Sequence, residues 1–564
     1  MSGPNPNGTP PPVVLAPTRT TVVSIAGRPV DLVSASTFPW TDSGNAERVV
    51  AFAGADLRYV TKWKKWMFWT GRRWALDDGA PHRAAKAVAR AMMRQANRIG
   101  DADRRTAAIK YALKCESKAS IDAAVGLARH DLALAITHTD LDADPWAFNC
   151  RNGTIDLKTG KLREHRREDL ITKIAPVDFD PEAKCERFER FVSEIMAGDG
   201  DLVLFMHRHL GYGMSGDVRD HVLAFWFGAG GNGKSLLSVV VLAVLGDYGG
   251  KTAPDLLFRS EHTDRHPTEL ADLHGRRLVV CNETRHGRTL DEGTLKDVTG
   301  DDPITARRMK EDFWTFSPSH KIVLFGNQRP RIKCLDKGIE RRLRLVPFAV
   351  SFVGREDKNL KAALLAELPG VLAWLVRGCV AWQAEGLPEA RAIIDATAAY
   401  IKAEDTLGQF FEDECVLKDK AGAQVADKVT RKQVRDRYLE WSEARGEKPV
   451  SGKDLADAIR DRGAVDRKVR ADGKSCAGWV GIRLVTDKET AEKEAKDEAR
   501  GDVATCGEPN QGCSVQEIPR GITREPDTTG DHVTTEPGGG SSPPLDDALW
   551  DEDEWAGDGP EVLP

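Results

Sequence analysis

The sequence predicts a multi-domain α/β protein with a parallel sheet in its central domain, and three observations lead to that class. Between residues 188 and 348, apolar strand-like runs alternate with helical stretches, which is typical of strand–helix–strand units. A glycine-rich loop joins one of these runs to an apolar helix. The segments on either side differ from this region in composition, and 564 residues are enough for two to four domains.

The N-terminal part divides into a leader and a mixed domain. Residues 1–44 begin with a stretch rich in Pro, Gly and Asn and predict a flexible leader. Residues 45–186 predict an α+β domain. It contains a short helix near residues 46–52, an Ala-rich helical stretch over 81–138 and a hairpin over 149–162.

Four tryptophans lie within twelve residues of the mixed domain, around a predicted turn at Gly71, with Lys and Arg between them. They are Trp63, Trp66, Trp69 and Trp74. Such rings can stack on nucleic-acid bases. A strand pair that buries its aromatic side chains produces the same pattern and is the commoner arrangement.

Two compact segments and a tail follow the central domain. Residues 351–404 predict a helical connector, and residues 405–484 have helical and then strand-like character. Residues 485–564 are acidic and rich in Gly, Ser, Pro and Thr, which predicts a disordered tail. This tail holds 21 Asp and Glu against 6 Lys and Arg, so the rest of the chain carries +9 although the total is −6. A basic body favours a polyanionic partner.

The acidic tail ends with Trp550 and Trp555 among acidic residues. It can compete with DNA for the basic body, dock a replication partner through these aromatics, or simply keep the protein in solution.

The composition also excludes several classes of protein. No run of about 18 apolar residues indicates a membrane span, and no basic and apolar N-terminal segment indicates secretion. We therefore expect a cytoplasmic protein without membrane partners. The ten cysteines include no CxxC pair, so neither a zinc site nor a disulfide framework is predicted.

The most specific motif is G-x-x-x-x-G-K-S, between a predicted strand and an apolar helix. Backbone N–H groups of such a loop surround phosphate oxygens at the positive end of the helix. The predicted nucleotide-binding residues are Gly228, Ala229, Gly230, Gly231, Asn232, Gly233, Lys234 and Ser235. Lys234 would contact the β- and γ-phosphates of ATP, and Ser235 would ligate Mg²⁺.

Later polar residues supply candidates for hydrolysis. Glu283 follows an apolar strand and can polarise the attacking water or hold Mg²⁺ through water, although a surface glutamate would look the same. Asn327 ends the next strand and can orient the water. Arg341 and Arg342 precede another strand, and an arginine there can act on the ATP of a neighbouring subunit.

The order of these motifs resembles the superfamily 3 helicases, and more narrowly the primase–helicase family of phages, plasmids and poxviruses. The resemblance rests on residues 228–235, 278–283, 295–308 and 325–330, on flanking segments near 149–165 and 179–183, and on 410–484. It implies an AAA+-like ATPase over 187–350 and a winged-helix-like module over 405–484. It also implies a ring, usually a hexamer, that moves on single-stranded and forked DNA.

The resemblance further implies roles for individual residues. Glu283 becomes the catalytic carboxylate, Asn327 the sensor, and Arg341 the preferred trans-acting arginine, with Arg342 second. Residues 306–310 fall where the family has a hairpin in the ring's channel, so Arg308 and Lys310 are expected to contact DNA phosphates. The expected setting is the cytoplasm of a phage-infected or plasmid-bearing bacterium.

The sequence departs from the family in two places. Asn282 stands where a second acid would accompany Glu283, which leaves Mg²⁺ mainly to Ser235 and water. Only about 45 residues precede the shared region, too few for a polymerase fold. We therefore expect no primer synthesis by this chain alone, and a separate primase, polymerase or single-strand-binding protein as partner.

Two alternatives share parts of this pattern. An ATP-dependent origin-binding initiator or helicase loader has the same motifs, whereas a P-loop kinase would lack the trailing arginines and flanking modules. The C-terminal module carries basic residues that suit duplex DNA or a docking protein: Arg460, Arg462, Arg467, Lys468, Arg470 and Lys474.

Overall fold

The computed structural model describes residues 31–259, 267–282, 288–309, 312–332, 337–417, 428–447, 449–471 and 474–486, and two short strands at 24–25 and 28–29. Everything described up to Val485 belongs to one compact unit. The predicted tail lies outside the described part of the chain, apart from Val485 and Thr486. Most of the predicted leader lies outside it as well.

The N-terminal region combines four helices, one short antiparallel pair of strands at its start and two further small sheets. Its elements are β1 (Ser24–Ile25), β2 (Arg28–Pro29), α1 (Asp42–Ala53), β3 (Leu57–Val60), β4 (Lys65–Trp69), β5 (Trp74–Leu76), α2 (Ala80–Ala96), α3 (Ala102–Cys115), α4 (Lys118–Ala128), β6 (Ala135–Ile136), β7 (Ala147–Cys150), β8 (Gly153–Asp156) and β9 (Lys161–Arg163). The helices pack closely because their buried faces are mostly alanine, as at Ala85, Ala89 and Ala112. The sheets have the orders β5-β4-β3-β6 and β7-β8-β9.

The tryptophans of this region form hydrophobic packing. Trp66, Trp69 and Trp74 are buried, and Trp63 is half-buried. Three of the four rings are therefore unavailable to stack on bases, and the packing interpretation is confirmed for them. Gly71 has φ +92° between β4 and β5, the left-handed backbone that a turn at this point requires.

The central domain is built on a five-stranded parallel sheet. Its elements are α5 (Glu186–Ile195), α6 (Gly200–Tyr212), β10 (Leu223–Phe227), α7 (Lys234–Leu245), β11 (Gly249–Thr252), α8 (Pro267–Ala271), β12 (Leu278–Asn282), α9 (Glu292–Thr299), β13 (Ile304–Ala306), β14 (Trp314–Phe316), β15 (Lys321–Gly326), α10 (Lys337–Glu340) and β16 (Leu343–Pro347). The strand order is β11-β12-β15-β10-β16, and every pairing is parallel. The α/β class with a parallel sheet is thus confirmed.

The order of the strands creates a cleft beside β10. The chain leaves β10 through α7 and returns at β11, on the far side of β15 and β12. Such a reversal opens a crevice at the carboxyl ends of the strands, where ligands bind in sheets of this kind. The middle strands β10 and β15 are almost entirely apolar, apart from Lys321 at the start of β15, which suits strands covered on both faces.

The helices of the predicted connector pack on the sheet of the central domain. They are α11 (Leu360–Ala366), α12 (Leu368–Glu385) and α13 (Arg391–Glu404). Val371 and Leu375 of α12 join the core on one face, and Tyr400 of α13 joins the core on the other. Within the described residues no single helix has the length and apolar composition of a membrane span. The two helices α11 and α12 have that length and composition only when taken together, and they are bent by 69° relative to each other.

The C-terminal module has three helices and short antiparallel sheets. Its elements are α14 (Thr406–Glu414), β17 (Cys415–Leu417), β18 (Lys428–Thr430), α15 (Arg431–Ala444), α16 (Gly452–Asp461), β19 (Val465–Ala471), β20 (Lys474–Val480) and β21 (Ile482–Leu484). The sheet orders are β18-β20-β19 and β17-β21. Phe410, Tyr438 and Trp479 centre its separate core.

The six basic residues noted in this module serve two purposes. Arg460 pairs with Asp457 and lies over the Trp479 ring, and Arg462 pairs with Asp405 at 3.5 Å and lies over Phe411. These two arginines hold the module together. The other four are exposed on the β19–β20 hairpin, here called the basic ribbon: Arg467, Lys468, Arg470 and Lys474.

Candidate nucleotide site and channel hairpin

The loop between β10 and α7 has the tight backbone that its glycines predict. Gly233 has φ +84°, and a Cβ there would lie 2.5 Å from Cγ2 of Ile195. At Gly228 a Cβ would lie 2.4 Å from the carbonyl oxygen of Phe348. Neither position accepts a side chain, since both left-handed backbone and close approach favour glycine. The backbone can therefore curl at the amino end of α7.

Lys234 is the centre of this loop. Its side chain is buried, and its Nζ donates hydrogen bonds to Gly228 O at 2.8 Å, Asn232 Oδ1 at 2.9 Å and Asn327 Oδ1 at 3.2 Å. Burial lowers the pKa of this ammonium group to about 8. A cation held in a dry cleft in this way attracts phosphate oxygens more strongly than an exposed one.

A second segment fastens the loop from outside. The side-chain amide of Asn232 donates to Phe348 O at 3.2 Å, and the amide of Phe352 donates to Gly231 O at 2.7 Å. Residues 348–352 lie more than a hundred positions from the loop in the sequence. The sequence therefore gave no signal for their role, although Asn232 itself was among the predicted site residues.

The loop opens on a cleft of about 620 Å³ at the carboxyl edge of the sheet. Its lining includes loop residues and the ends of the two neighbouring strands: Gly230, Gly231, Asn232, Gly233, Lys234, Ser235, Leu236, Asn282, Phe325, Gly326 and Asn327. Ser235 is exposed on this cleft, so its hydroxyl is available to a metal ion. Gly228 and Ala229 are absent from the lining.

Parallel register explains why distant polar residues meet here. Phe227 pairs with Gly326, and Phe325 pairs with Asn282, so the three strand ends lie side by side. Asn327 and Asn282 therefore face the same cleft as the loop. Glu283 follows Asn282 directly but lies outside the described residues, so its catalytic role remains a prediction.

The two candidate trans-acting arginines differ sharply in exposure. Arg342 is buried, and its guanidinium donates to Thr299 Oγ1 at 3.1 Å and to Gly338 O at 2.9 Å. Arg341 is exposed at the end of α10. Arg341 comes just before β16, and the first residues of β16 and β10 pair with each other. Arg341 therefore lies near the amino ends of these strands, whereas the glycine-rich loop lies at the carboxyl end of β10.

The hairpin expected near residues 306–310 is present. β13 and β14 pair antiparallel, with Ile304 opposite Phe316 and Ala306 opposite Trp314. Arg308 is exposed in the connection between the strands, and Lys310 lies outside the described residues. The connection also exposes Met309.

Two family models match this chain. Residues 46–197 match the family described as D5 N terminal like, and residues 226–342 match a family of unknown function, DUF5906. The first match covers the N-terminal helices and the sheets formed by β3–β9, and it extends through α5. The second begins in β10 and ends at Arg342, so it covers the loop, the hairpin and Asn327.

Curated relatives come from large DNA viruses. The chain is 28% identical over 352 residues to "Putative helicase L207/L206" of Acanthamoeba polyphaga mimivirus, covering 57% of this chain and 36% of that protein. It is 26% identical over 369 residues to "Putative helicase 022R" of Frog virus 3, covering 50% and 37%. It is 28% identical over 226 residues to "Putative primase C962R" of African swine fever virus, covering 39% and 24%. Each match thus spans roughly a quarter to a third of the relative's length.

Among solved structures, the apo A form of the NrS-1 C-terminal region is similar to 75% of this chain and 95% of its own length. Its TM-score is 0.45 and its sequence identity is 11%. The chain is thus similar to the D5 N terminal like family over residues 46–197 and to viral proteins named putative helicase or putative primase, in agreement with the resemblance of its motif order to the superfamily 3 primase–helicases.

Proposed function

We propose that this protein is an ATP-dependent DNA helicase of viral or plasmid replication that moves on single-stranded DNA as a ring. The observation that carries the proposal is the triad of Lys234, Asn232 and Asn327 at the mouth of the cleft. It joins a phosphate-binding loop to the tip of the neighbouring strand, which is the arrangement that nucleotide hydrolysis requires. The names of the viral relatives support the same activity.

The residues of the cleft fit ATP and Mg²⁺. The buried ammonium of Lys234 would hold the β- and γ-phosphates, and the exposed hydroxyl of Ser235 would ligate the metal ion. Bound Mg²⁺ neutralises charge on the phosphates. Asn282 lines the cleft where a second carboxylate would stand, so it would offer the metal ion, or a water bound to it, a neutral amide oxygen in place of a negative charge. Glu283 would then polarise the attacking water.

The position of Arg341 supports assembly into a ring. The five-residue strands β10 and β16 separate it from its own loop by roughly 16 Å at about 3.3 Å per residue. An exposed arginine at that distance reaches a nucleotide most readily from a neighbouring subunit. We infer a homo-oligomer, with a hexamer as the expected form, and ATP held between subunits.

The hairpin is the proposed contact to DNA. Exposed Arg308, with Lys310, would bind the phosphate backbone of a single strand, which needs charge and no sequence readout. We further propose that the protein acts in the cytoplasm of an infected or plasmid-bearing cell. A separate primase, polymerase or single-strand-binding protein would act beside it.

The first test is ATP hydrolysis with and without single-stranded DNA, beside Lys234→Ala. Strong stimulation by DNA that is lost in the variant supports a translocating helicase, and unwinding of tailed duplexes then gives the polarity. Glu283→Gln should bind ATP without hydrolysing it. Hydrolysis that is indifferent to single strands would contradict the proposal.

A second function, an origin-binding initiator or helicase loader, is favoured by one observation. The basic ribbon carries four exposed cations on two seven-residue strands, which suits duplex phosphates. Substituting all four by Gln and measuring duplex and single-strand affinity separates the functions. Two results together would favour the initiator: the substituted protein loses its affinity for duplex DNA, and the unaltered protein unwinds little DNA.

A further inference from the structure

The hairpin formed by β13 and β14 has a short base on the central domain. Its strands have three residues each and pair with each other rather than with the five-stranded sheet. A hairpin of this size needs support from neighbouring elements. One of its faces is buried in the core of the central domain, through Ile304, Ala306, Trp314 and Phe316. The pair next to the connection joins the small Ala306 to Trp314, so the Trp314 ring supplies most of the anchoring at that end.

The N-terminal region presents two aromatic side chains from one edge of its sheet. The strands β3 and β6 lie parallel, with Val60 opposite Ile136, so their carboxyl ends meet at that edge. Trp63 lies in the turn after β3, and His138 comes two positions after β6. The centroids of these two rings are 6.1 Å apart. The register of one strand pair therefore brings together two side chains that are distant in the sequence.

Both of these side chains contact the end of the hairpin next to its connection. The Trp314 ring lies 5.9 Å from Trp63 and 5.5 Å from His138, and both pairs are edge-to-face, an arrangement that aromatic rings favour. His274 of the central domain lies 4.8 Å from Trp314 and completes an aromatic cluster. Nε2 of His138 lies 2.9 Å from the carbonyl oxygen of Thr315, and the imidazole donates this hydrogen bond because a carbonyl can only accept. We call this contact between the N-terminal region and the hairpin the aromatic junction.

A gap lies beside the aromatic junction. A cavity of about 300 Å³ is lined by His138 and Asp142 of the N-terminal region and by Phe316 and Ser317 at the end of β14. Closely packed interiors resist displacement because they contain few voids of this kind. Open space of this size lets the hairpin base shift once the rings no longer hold it. The aromatic junction therefore fixes the hairpin at one point, with room for movement next to it.

The connection between the two strands carries the cations that are exposed for binding. Arg307 and Arg308 follow β13 directly and are exposed. The guanidinium of Arg307 lies over the Phe313 ring, 4.8 Å from its centroid, and Phe313 immediately precedes Trp314. A displacement of Trp314 would therefore move Phe313 and the cation that packs on it. Binding residues act fully only when the elements that carry them are held in place.

We propose that Trp63 and His138 are positioning residues for DNA binding, which hold Trp314 and Thr315 and so direct the exposed cations of the hairpin at a single strand of DNA. This inference rests on the proposed DNA contact of the hairpin and adds the N-terminal region to it. Neither Trp63 nor His138 touches the DNA, and each acts through the hairpin. The N-terminal region then sets the path of the strand without binding it.

The test compares Trp63→Ala with Trp63→Phe, which keeps an aromatic ring, in the full chain. Trp40→Ala is the matched control, because Trp40 is an exposed tryptophan of the same region whose ring stacks on Tyr111 instead. Binding of a labelled oligothymidylate is measured by anisotropy over a salt series, beside ATP hydrolysis with and without DNA. We expect Trp63→Ala to bind about tenfold more weakly at low salt and to lose most of its stimulation by DNA. Its DNA-independent hydrolysis should not change, and the other two variants should match the unaltered protein.

The salt dependence separates positioning from direct contact. Trp63 carries no charge, so its loss lowers the slope of log affinity against log salt only if cations elsewhere leave the DNA. We expect the slope to fall by about one, as in Arg308→Ala. The double variant should bind little worse than Arg308→Ala alone, because both changes act on the same contact. Hydrogen exchange at the amides of β13 and β14 should be faster in Trp63→Ala.

A second variant tests the other half of the aromatic junction. His138→Ala removes the hydrogen bond to Thr315 and one ring contact but leaves Trp63 in place. We expect the same changes in affinity and salt slope at about threefold rather than tenfold, since one hydrogen bond contributes modestly. The melting temperatures of all variants are measured alongside.

The contrary outcomes are distinct. Unchanged affinity and salt slope in Trp63→Ala, beside weaker binding in Arg308→Ala, would overturn this inference and leave the proposed DNA contact intact. Weaker binding with an unchanged slope and an additive loss in the double variant would mean that the Trp63 ring stacks on a base, which also overturns it. Parallel losses of DNA-independent hydrolysis and melting temperature in Trp63→Ala and His138→Ala would show that both residues only stabilise the fold, against the inference. Normal binding in Arg308→Ala would overturn the proposed contact and this inference with it.

Discussion

The ammonium group of Lys234 lies 3.2 Å from the side-chain oxygen of Asn327, across the cleft between two neighbouring strands. The lysine proposed to bind phosphate and the proposed sensor are thus in direct contact. A γ-phosphate must compete with Asn327 for this ammonium. Entry of nucleotide should therefore release the asparagine to orient water.

Replacing Asn327 by Ala should separate binding from hydrolysis. We expect kcat for ATP to fall about a hundredfold, the usual cost of losing one well-placed polar group, with nucleotide affinity unchanged or slightly higher. Gln328→Ala, on the exposed neighbour, is the control. Steady-state hydrolysis and binding of a fluorescent nucleotide check both quantities. An equal loss of nucleotide affinity and of kcat would show that Asn327 already contacts the phosphates of bound ATP before the reaction begins.

The lowered pKa of Lys234 predicts how nucleotide affinity depends on pH. In the free protein the ammonium loses its proton as the pH rises through about 8, whereas bound phosphates favour the charged form. Above that pH, affinity should therefore fall, approaching about tenfold per pH unit. Titrations at successive pH values test this. Lys234→Arg should bind weakly with little pH dependence, and a flat profile in the unaltered protein would refute the prediction.

Arg341 and Arg342 should give different defects although they are adjacent. Arg341→Ala should lower kcat by about a thousandfold, the smaller end of the effect of a trans-acting arginine, without changing the melting temperature. Arg342→Ala removes buried hydrogen bonds to Thr299 and Gly338 and should destabilise the fold by about 2–4 kcal/mol.

Mixing variants tests whether Arg341 acts between subunits. Arg341→Ala and Lys234→Ala should each be nearly inactive but for different reasons, so a mixed ring contains interfaces with both intact residues. Partial recovery of hydrolysis on mixing is the expected result. No recovery in rings that demonstrably exchange subunits would place Arg341 outside the neighbouring site.

His209 makes the fold sensitive to acid. It is fully buried on α6, and burial followed by the charge of Lys321 lowers its pKa to about 4. The unfolded chain takes up a proton near pH 6.5 and the folded chain does not, so stability falls as the pH drops from about 6.5 towards 4. His209→Leu should lessen the drop in melting temperature between pH 7 and pH 5. His130→Gln, on an exposed histidine, should not.

Local pattern was enough to predict much of this molecule. The apolar strands predicted before the glycine-rich loop, before Glu283 and before Asn327 are β10, β12 and β15, because continuous apolar runs suit strands that are buried on both faces. The loop from Gly228 to Ser235 was predictable because phosphate binding demands a fixed spacing of small and basic residues.

Long-range packing explains what the sequence did not reveal. Nothing in the residues around Trp63 and His138 indicates that they contact the hairpin, because Trp314 and Thr315 lie more than a hundred positions away. The same holds for Phe348 and Phe352, whose backbone fastens the nucleotide loop. Arg341 and Arg342 were equivalent in sequence, and only the fold buries one of them.

The helix α13 has a practical consequence for where the central domain can be cut. Thr397 accepts a hydrogen bond from the amide of Leu345 in β16, and Tyr400 lies in the core on that face of the sheet. A fragment that ends near residue 350 would leave this apolar face in water and should aggregate. A fragment extending through Glu404 should resist proteolysis. The smallest autonomous form of the central domain should therefore extend some sixty residues past Arg342, the last residue predicted to act in hydrolysis.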